Sequence, residues 1–209
     1  VCEDLYRKVR AYAPQKPVSV LQDPPMTDPV GAVRFENLKE KLAIRGRIAM
    51  YIGNLEKYQG LDLLIQAAAL LPPRQAVHFV IIGGEADQID HYQAEAVAWG
   101  VKTRFHFIGK RPLAALSGYL AQADILVSLR VEGSNTPMKI YSYLAAGKPI
   151  LATEVDSHCQ VLDSSCAVLV QPNPASIAKG LLELDNHADL RKRLGANGKR
   201  RVETRYSRE

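Results

Sequence analysis

Cysteine is scarce in this chain, and the three present, Cys2, Cys159 and Cys166, stand in unlike contexts with no C-x-x-C pair. Neither a disulfide framework nor a thiolate zinc site is suggested, and a reducing cytoplasm is the expected compartment. No apolar run approaches the about 18 residues a membrane-spanning helix needs, and no signal-peptide pattern opens the chain. The dinucleotide fingerprint G-x-G-x-x-G and the P-loop G-x-x-x-x-G-K-[ST] are both absent, which counts against a nicotinamide dehydrogenase and a P-loop ATPase. Metal-ligand spacing is lacking, so neither a metal nor a cofactor is expected. Aromatic residues do not interleave with the basic runs, and nucleic acid is not an expected partner. The chain starts at Val1 without an initiating Met and runs straight into a helix-like pattern, so we expect a piece of a longer protein.

What is present is the material of a full core: 209 residues, 47% apolar and 23% charged. A formal charge of +5 and a pI near 9.1 favour an acidic ligand, an anionic membrane surface or nucleic acid. Composition alone leaves that order open.

From Arg47 onward strands and helices alternate in units of roughly 25 residues, which predicts a doubly wound parallel sheet of the α/β, Rossmann-like class, because parallel neighbours need a crossover. The predicted strands are Ile48–Ile52, His78–Ile82, Phe105–Ile108, Asp124–Leu129, Ile150–Ala152 and Ala167–Val170. Three strand ends carry glycine, namely Gly53, Gly83 with Gly84, and Gly109, where backbone can approach a ligand; tight turns explain them equally well. Ahead of this pattern we expect a helix Glu3–Tyr12, a short strand Val18–Leu21, a Pro-rich linker Gln22–Val30 and a lead-in helix Phe35–Leu42. Residues 1–30 then read as the tail and linker of a preceding domain, and 31–209 as the main one.

The stretch Ser128–Gly147, S-L-R-V-E-G-S-N-T-P-M-K-I-Y-S-Y-L-A-A-G, is the focus. Thr136 is a good N-cap and Pro137 fits the first helical position. Ile140, Tyr143, Leu144 and Gly147 recur at helical spacing and should pack inward, leaving Asn135, Lys139 and Ser142 on the loop side. A helix start there favours an anion. Arg130 ends an apolar strand and must reach solvent, a carboxylate such as Glu132, or a phosphate. His158 could touch a ligand or merely neighbour a helix cap.

In order, Y-I-G-N-L-x-x-Y-Q-G-L-D-L-L-I-Q-A, V-I-I-G-G, F-H-F-I-G, A-D-I-L-V-S-L-R-V-E-G, K-I-Y-S-Y-L-A-A-G-K-P-I-L-A-T and R-V-E-T-R-Y-S resemble the C-terminal, donor-binding domain of a GT-B glycosyltransferase of family 4 (group 1). The resemblance covers about Arg47 to Ser207. It implies a retaining glycosyltransferase with a nucleotide-diphosphate-sugar donor, and a carbohydrate or lipid-linked acceptor held by a largely absent N-terminal domain. Glu132, followed by Gly133, matches the first glutamate of the family's E-x7-E motif, expected near the transferred sugar. Ser142 stands where the second would meet the ribose. Asn54 and Gln59 occupy the positions of the family's usual diphosphate-binding Arg and Lys. Lys57, Arg130 and Lys139 are the nearby cations that could replace them. The implied site comprises Glu132 as the catalytic residue and Gly53, Asn54, Gly83, Lys110, Arg130, Gly133, Ser134, Asn135, Thr136, Lys139 and Ser142 as donor-binding residues. The alternative is a non-catalytic binding module whose donor site has decayed. The closing segment Ala188–Arg208 is expected as an amphipathic helix, bending at Gly195 and Gly198, with a basic face that is simply solvated or meets the inner face of a membrane.

Overall fold

The computed structural model describes residues 3–19, 25 and 35–206. Six parallel strands, β1 (Arg47–Ile52), β2 (Val77–Ile82), β3 (Phe105–Gly109), β4 (Ile125–Ser128), β5 (Ile150–Thr153) and β6 (Ala167–Val170), form one sheet in the order β3-β2-β1-β4-β5-β6. Their Val, Ile and Leu content suits strands covered on both faces, and every residue of β4 and β5 is buried. Side chains alternate between two cores: Ala49 and Tyr51 of β1 point into one, Ile48 and Met50 into the other. Each fully buried Leu or Ile contributes about 1.5–3 kcal/mol relative to exposure.

The described helices are α1 (Glu3–Tyr12), α2 (Leu38–Lys41), α3 (Leu61–Ala69), α4 (Ala86–Ala98), α5 (Leu116–Ala121), α6 (Lys139–Ala145), α7 (Asp156–Cys159), α8 (Pro174–Asn186) and α9 (Ala188–Arg205). Helices α3, α4 and α8 cover one face; α2, α5 and α6 cover the other. Strand order reverses between β1 and β4, where the chain leaves β1 towards β2 on one side and later returns as β4 on the other. Such a switch point opens a crevice at the carboxyl ends of the strands.

The lead-in helix is shorter than its pattern suggests: Asn37 accepts from the Glu40 amide as N-cap, so only Leu38–Lys41 is helical. A 3-10 turn, Leu113–Ala115, leads directly into α5. Val18 and Ser19 are not in a strand, and the rest of that expected strand, like most of the Pro-rich linker, lies outside the described residues. Leu5, Val9 and Tyr12 of α1 are exposed by 37%, 44% and 91% and so contribute little to the described core.

Helix α9 runs unbroken through Gly195 and Gly198, so these residues are not a hinge. They permit close packing instead: a Cβ on Gly195 would lie 2.2 Å from the Gly147 carbonyl oxygen, and one on Gly198 would lie 2.9 Å from Leu144 Cδ2. Leu194, Val202 and Tyr206 are buried, and Leu190 packs partly buried. Alanine raises helix propensity by about 1 kcal/mol over glycine, yet Gly195→Ala should lower stability by about 1–3 kcal/mol because the backbone contact cannot yield. Urea unfolding of the two proteins measures the sign directly.

Candidate functional site

At the switch point, two cavities share Ile52, Gly53 and Asn54. The first, of about 370 Å³, lies between the ends of β1 and β4, the start of α5 and the start of α6. Its lining includes Tyr58, Gln59, Arg130, Thr136, Lys139 and Ser142, with Leu113, Leu116 and Met138 as an apolar wall. The second, of about 290 Å³, lies over the ends of β2 and β3 and is lined by Gly83, Gly84, Glu85, Lys110 and Arg111 among others. The glycines make the join possible. A Cβ on Gly83, at φ 116°, would sit 2.0 Å from the Gly53 carbonyl oxygen.

The first cavity contains two cations and no carboxylate. Arg130 is 8% exposed; its guanidinium donates to the Asn135 carbonyl at 2.8 Å and lies over the Tyr58 ring at 5.0 Å, while its Nε has no partner among the described residues. Lys139 Nζ donates to Gln59 Oε1 at 3.1 Å and lies 4.0 Å from the centre of the Tyr51 ring. Gln59 is itself 5% exposed and donates to Asn54 Oδ1 at 3.0 Å. Burial, with Arg130 as a nearby like charge, pushes the Lys139 ammonium down to about 7. Thr136 is buried and its Oγ1 is unpartnered among the described residues.

The structure thus brings Gly53, Asn54, Arg130, Asn135, Thr136, Lys139 and Ser142 together around one cavity. Gly83 and Lys110 line the second, and Lys110 pairs there with Glu85. Gly133, at φ 113°, lies beside the Arg130 guanidinium, where a Cβ would come 3.2 Å from its Nη1. Ser134 gives its carbonyl to Gln160 Nε2 at 2.7 Å. Glu132 is exposed, lines neither cavity and forms no ion pair with Arg130. Lys57 is also exposed and lines neither. Thr136 is not the N-cap: a turn closed by Ile140 N–H on the Pro137 carbonyl delays the helix, and the cap falls on Met138, which has no side-chain acceptor.

The sequence model of the family described as "Glycosyl transferases group 1" matches residues 34–201. The chain belongs to this family. An uncharacterized glycosyltransferase of Methanocaldococcus jannaschii is 22% identical over 176 residues, 82% of this chain and 44% of the relative. Among solved structures, the Anabaena protein HepE in complex with UDP-glucose matches with a TM-score of 0.74 at 18% identity, over 81% of this chain and 48% of HepE. WaaG, a glycosyltransferase involved in lipopolysaccharide biosynthesis, matches with a TM-score of 0.79 at 19% identity, over 99% of this chain and 59% of WaaG. The chain therefore spans about half the length of the relatives it matches, and its fold is that of the C-terminal half of a GT-B glycosyltransferase.

In this group 1 glycosyltransferase chain, sequence reasoning missed Tyr51, Tyr58, Leu113, Leu116 and Met138. The aromatic partners of the cations come from β1 and the turn after it, 72 or more residues from Arg130 in the chain. Only the spacing of Leu113 and Leu116, apolar residues at the open end of a helix, carried a signal. Among the described residues no group of three or more His, Cys, Asp or Glu is placed to hold a metal ion, and no helix is long and apolar enough to cross a membrane.

His158 is neither a ligand contact nor a cap neighbour at the surface. It is fully buried, with Nε2 2.9 Å from Ser128 Oγ and Nδ1 2.8 Å from the Thr153 carbonyl. A carbonyl only accepts, so Nδ1 carries the proton and Nε2 accepts from Ser128. Burial holds the imidazole neutral, down to about 4. The unfolded chain then binds one more proton at this residue between pH 4 and 6.5, so its contribution to stability is complete above 6.5 and is lost as pH falls towards 4. Relative to wild type, His158→Gln should show a shallower fall of unfolding free energy across that window, by up to about 1.4 kcal/mol per pH unit, measured by urea unfolding at a series of pH values.

Proposed function

We propose that the crevice binds the diphosphate of a nucleotide-sugar donor, and that the protein of which this chain is part is a retaining glycosyltransferase carrying the sugar to a hydroxyl acceptor. The observation that carries this is the pair of cations, Arg130 and Lys139, set in one cavity without a carboxylate. Buried cations are ordinarily paired; here each has an amide oxygen and an aromatic ring, which leaves its charge unneutralised for an anion. Lys139 sits against Gln59, at the position where the family's usual lysine is lost, so the cation is supplied from α6. The complex of HepE with UDP-glucose supports a nucleotide sugar as the ligand class.

In this reading the apolar wall of Leu113, Leu116 and Met138 faces the base, Ser142 faces the ribose, and Arg130, Thr136 and Lys139 face the phosphates. The cations stabilise charge on the departing diphosphate without a metal, and the departing phosphate itself accepts the acceptor's proton. Glu132, on the exposed side of the loop, meets the sugar hydroxyls. Residues 1–30 belong to the acceptor-binding domain and its linker. The protein works in the cytoplasm, with the basic face of α9 available to an anionic leaflet. Loss of the usual Arg, Lys and second Glu favours the other reading, a non-catalytic module, only if the cavity binds no nucleotide.

Isothermal titration with UDP, GDP and ADP and their nucleosides tests this. One diphosphate should bind, and Lys139→Ala should weaken it by about 1.5–3 kcal/mol more than its nucleoside. Binding none of the three would favour the decayed module. Because a bound anion raises the Lys139 pKa from about 7, binding at pH 8 should take up a proton that Lys139→Ala does not. Titrations in buffers of different ionisation enthalpy count that proton. In the enzyme assayed with its acceptor, Glu132→Gln should lower kcat by more than about tenfold with nucleotide affinity nearly unchanged; an equal fall in affinity would make Glu132 a nucleotide contact instead.

A further inference from the structure

Beyond the ligand itself, the α7 turn holds the loop that carries Arg130. Three fully buried side chains form a directed chain of hydrogen bonds. Ser128, the last residue of β4, donates to His158 Nε2. His158 Nδ1 donates to the carbonyl of Thr153, the last residue of β5. Thr153 Oγ1 donates to the Arg130 carbonyl at 2.5 Å. The far end of the loop is held separately, by Gln160 Nε2 on the Ser134 carbonyl at 2.7 Å. The Arg130 guanidinium then closes the loop internally on the Asn135 carbonyl.

We propose that Thr153 and Gln160, ordered by His158 and the α7 turn, are positioning residues that pin the two ends of the 130–135 segment and so aim the Arg130 guanidinium at the ligand's phosphates. The inference rests on the crevice being a diphosphate site. None of the three residues lines either cavity at the switch point, so each acts through the backbone it holds. A fixed backbone matters because a guanidinium recognises phosphate by direction as well as charge. The hydroxyl of Thr153 is the part of that residue bonded to Arg130 and also lies 3.2 Å from His158 Nδ1, whose shorter bond of 2.8 Å to the Thr153 carbonyl does not depend on it.

That separation makes the test specific. Thr153→Val keeps the volume and the backbone bond while deleting the hydroxyl; Thr153→Ser restores a hydroxyl; Gln160→Ala releases the other end. In isothermal titration against UDP, GDP and ADP, Thr153→Val and Gln160→Ala should each weaken the best-binding diphosphate by about tenfold or more. Affinity for the matching nucleoside should change less than about twofold, and Thr153→Ser should recover wild-type diphosphate affinity. Equal losses for diphosphate and nucleoside would show a loosened domain, and wild-type affinity in both weakened variants would show that the loop needs no pins; either result overturns the inference alone. A wild-type protein that binds none of the three diphosphates overturns the diphosphate reading and this inference with it.

Discussion

Two positive charges confined in one small cavity are the constraint around which the crevice is arranged. Arg130 and Lys139 repel one another, and burial removes most of the water that would screen them. The protein answers with the same device twice: an amide oxygen at hydrogen-bond distance and a tyrosine ring beneath the charge. Cation–π contact stabilises a desolvated cation by about 2 kcal/mol without cancelling its charge. A carboxylate would stabilise the free protein better and compete with an anionic ligand. The turn after β1 is drawn into the arrangement, since Tyr58 gives its carbonyl to Val131 N–H at 2.9 Å and hydrogen bonding to Asn54 lowers the Tyr58 phenol's pKa.

Such a site opposes the stability of the fold. Lys139 has a folded-state pKa of about 7 against 10.5 when free, so between those values the unfolded chain holds more protons. Stability from this residue rises with pH through that window, and the penalty is complete below pH 7, where Lys139 is charged in both states. The surrounding elements must supply what this residue takes away. They do so through β4 and β5, whose side chains are wholly buried, and through a polar network in which each of the four donors at Ser128, Thr153, His158 Nδ1 and Gln160 Nε2 has a defined acceptor.

The strands and the alternation of elements were legible because β-branched runs and glycine ends are local signals. So was the loop-side stripe of Asn135, Lys139 and Ser142, which follows from helical spacing and does line the cavity. What lay beyond reach was any fact requiring two distant segments at once. Nothing near Lys139 announces Gln59, 80 residues away, or Tyr51 beneath it. His158 looked like a residue of a strand-to-helix turn, and only the adjacency of β4 and β5 makes it a buried bridge. Thr136 failed for a different reason. Its type and the following proline fit a cap, but the turn from Pro137 moves the helix start downstream and leaves the hydroxyl buried without a partner among the described residues.

The glycines set how far the two cavities can act as one. Gly53 is wedged between Gly83 and Lys139: a Cβ on Gly83 would meet the Gly53 carbonyl at 2.0 Å, and a Cβ on Gly53 would come within 2.9 Å of Lys139 Nζ and 3.0 Å of the Tyr51 hydroxyl. A side chain at either position would therefore separate the carboxyl ends of β1 and β2 or push the ammonium off its ring. Ile52, Gly53 and Asn54 line both cavities, so a ligand long enough to reach from one to the other must pass Gly53, which offers it only main chain. Main chain cannot be repositioned by a rotamer change. A ligand spanning both cavities is therefore directed by the strand end at Gly53 as well as by the Arg130 and Lys139 groups held beside it.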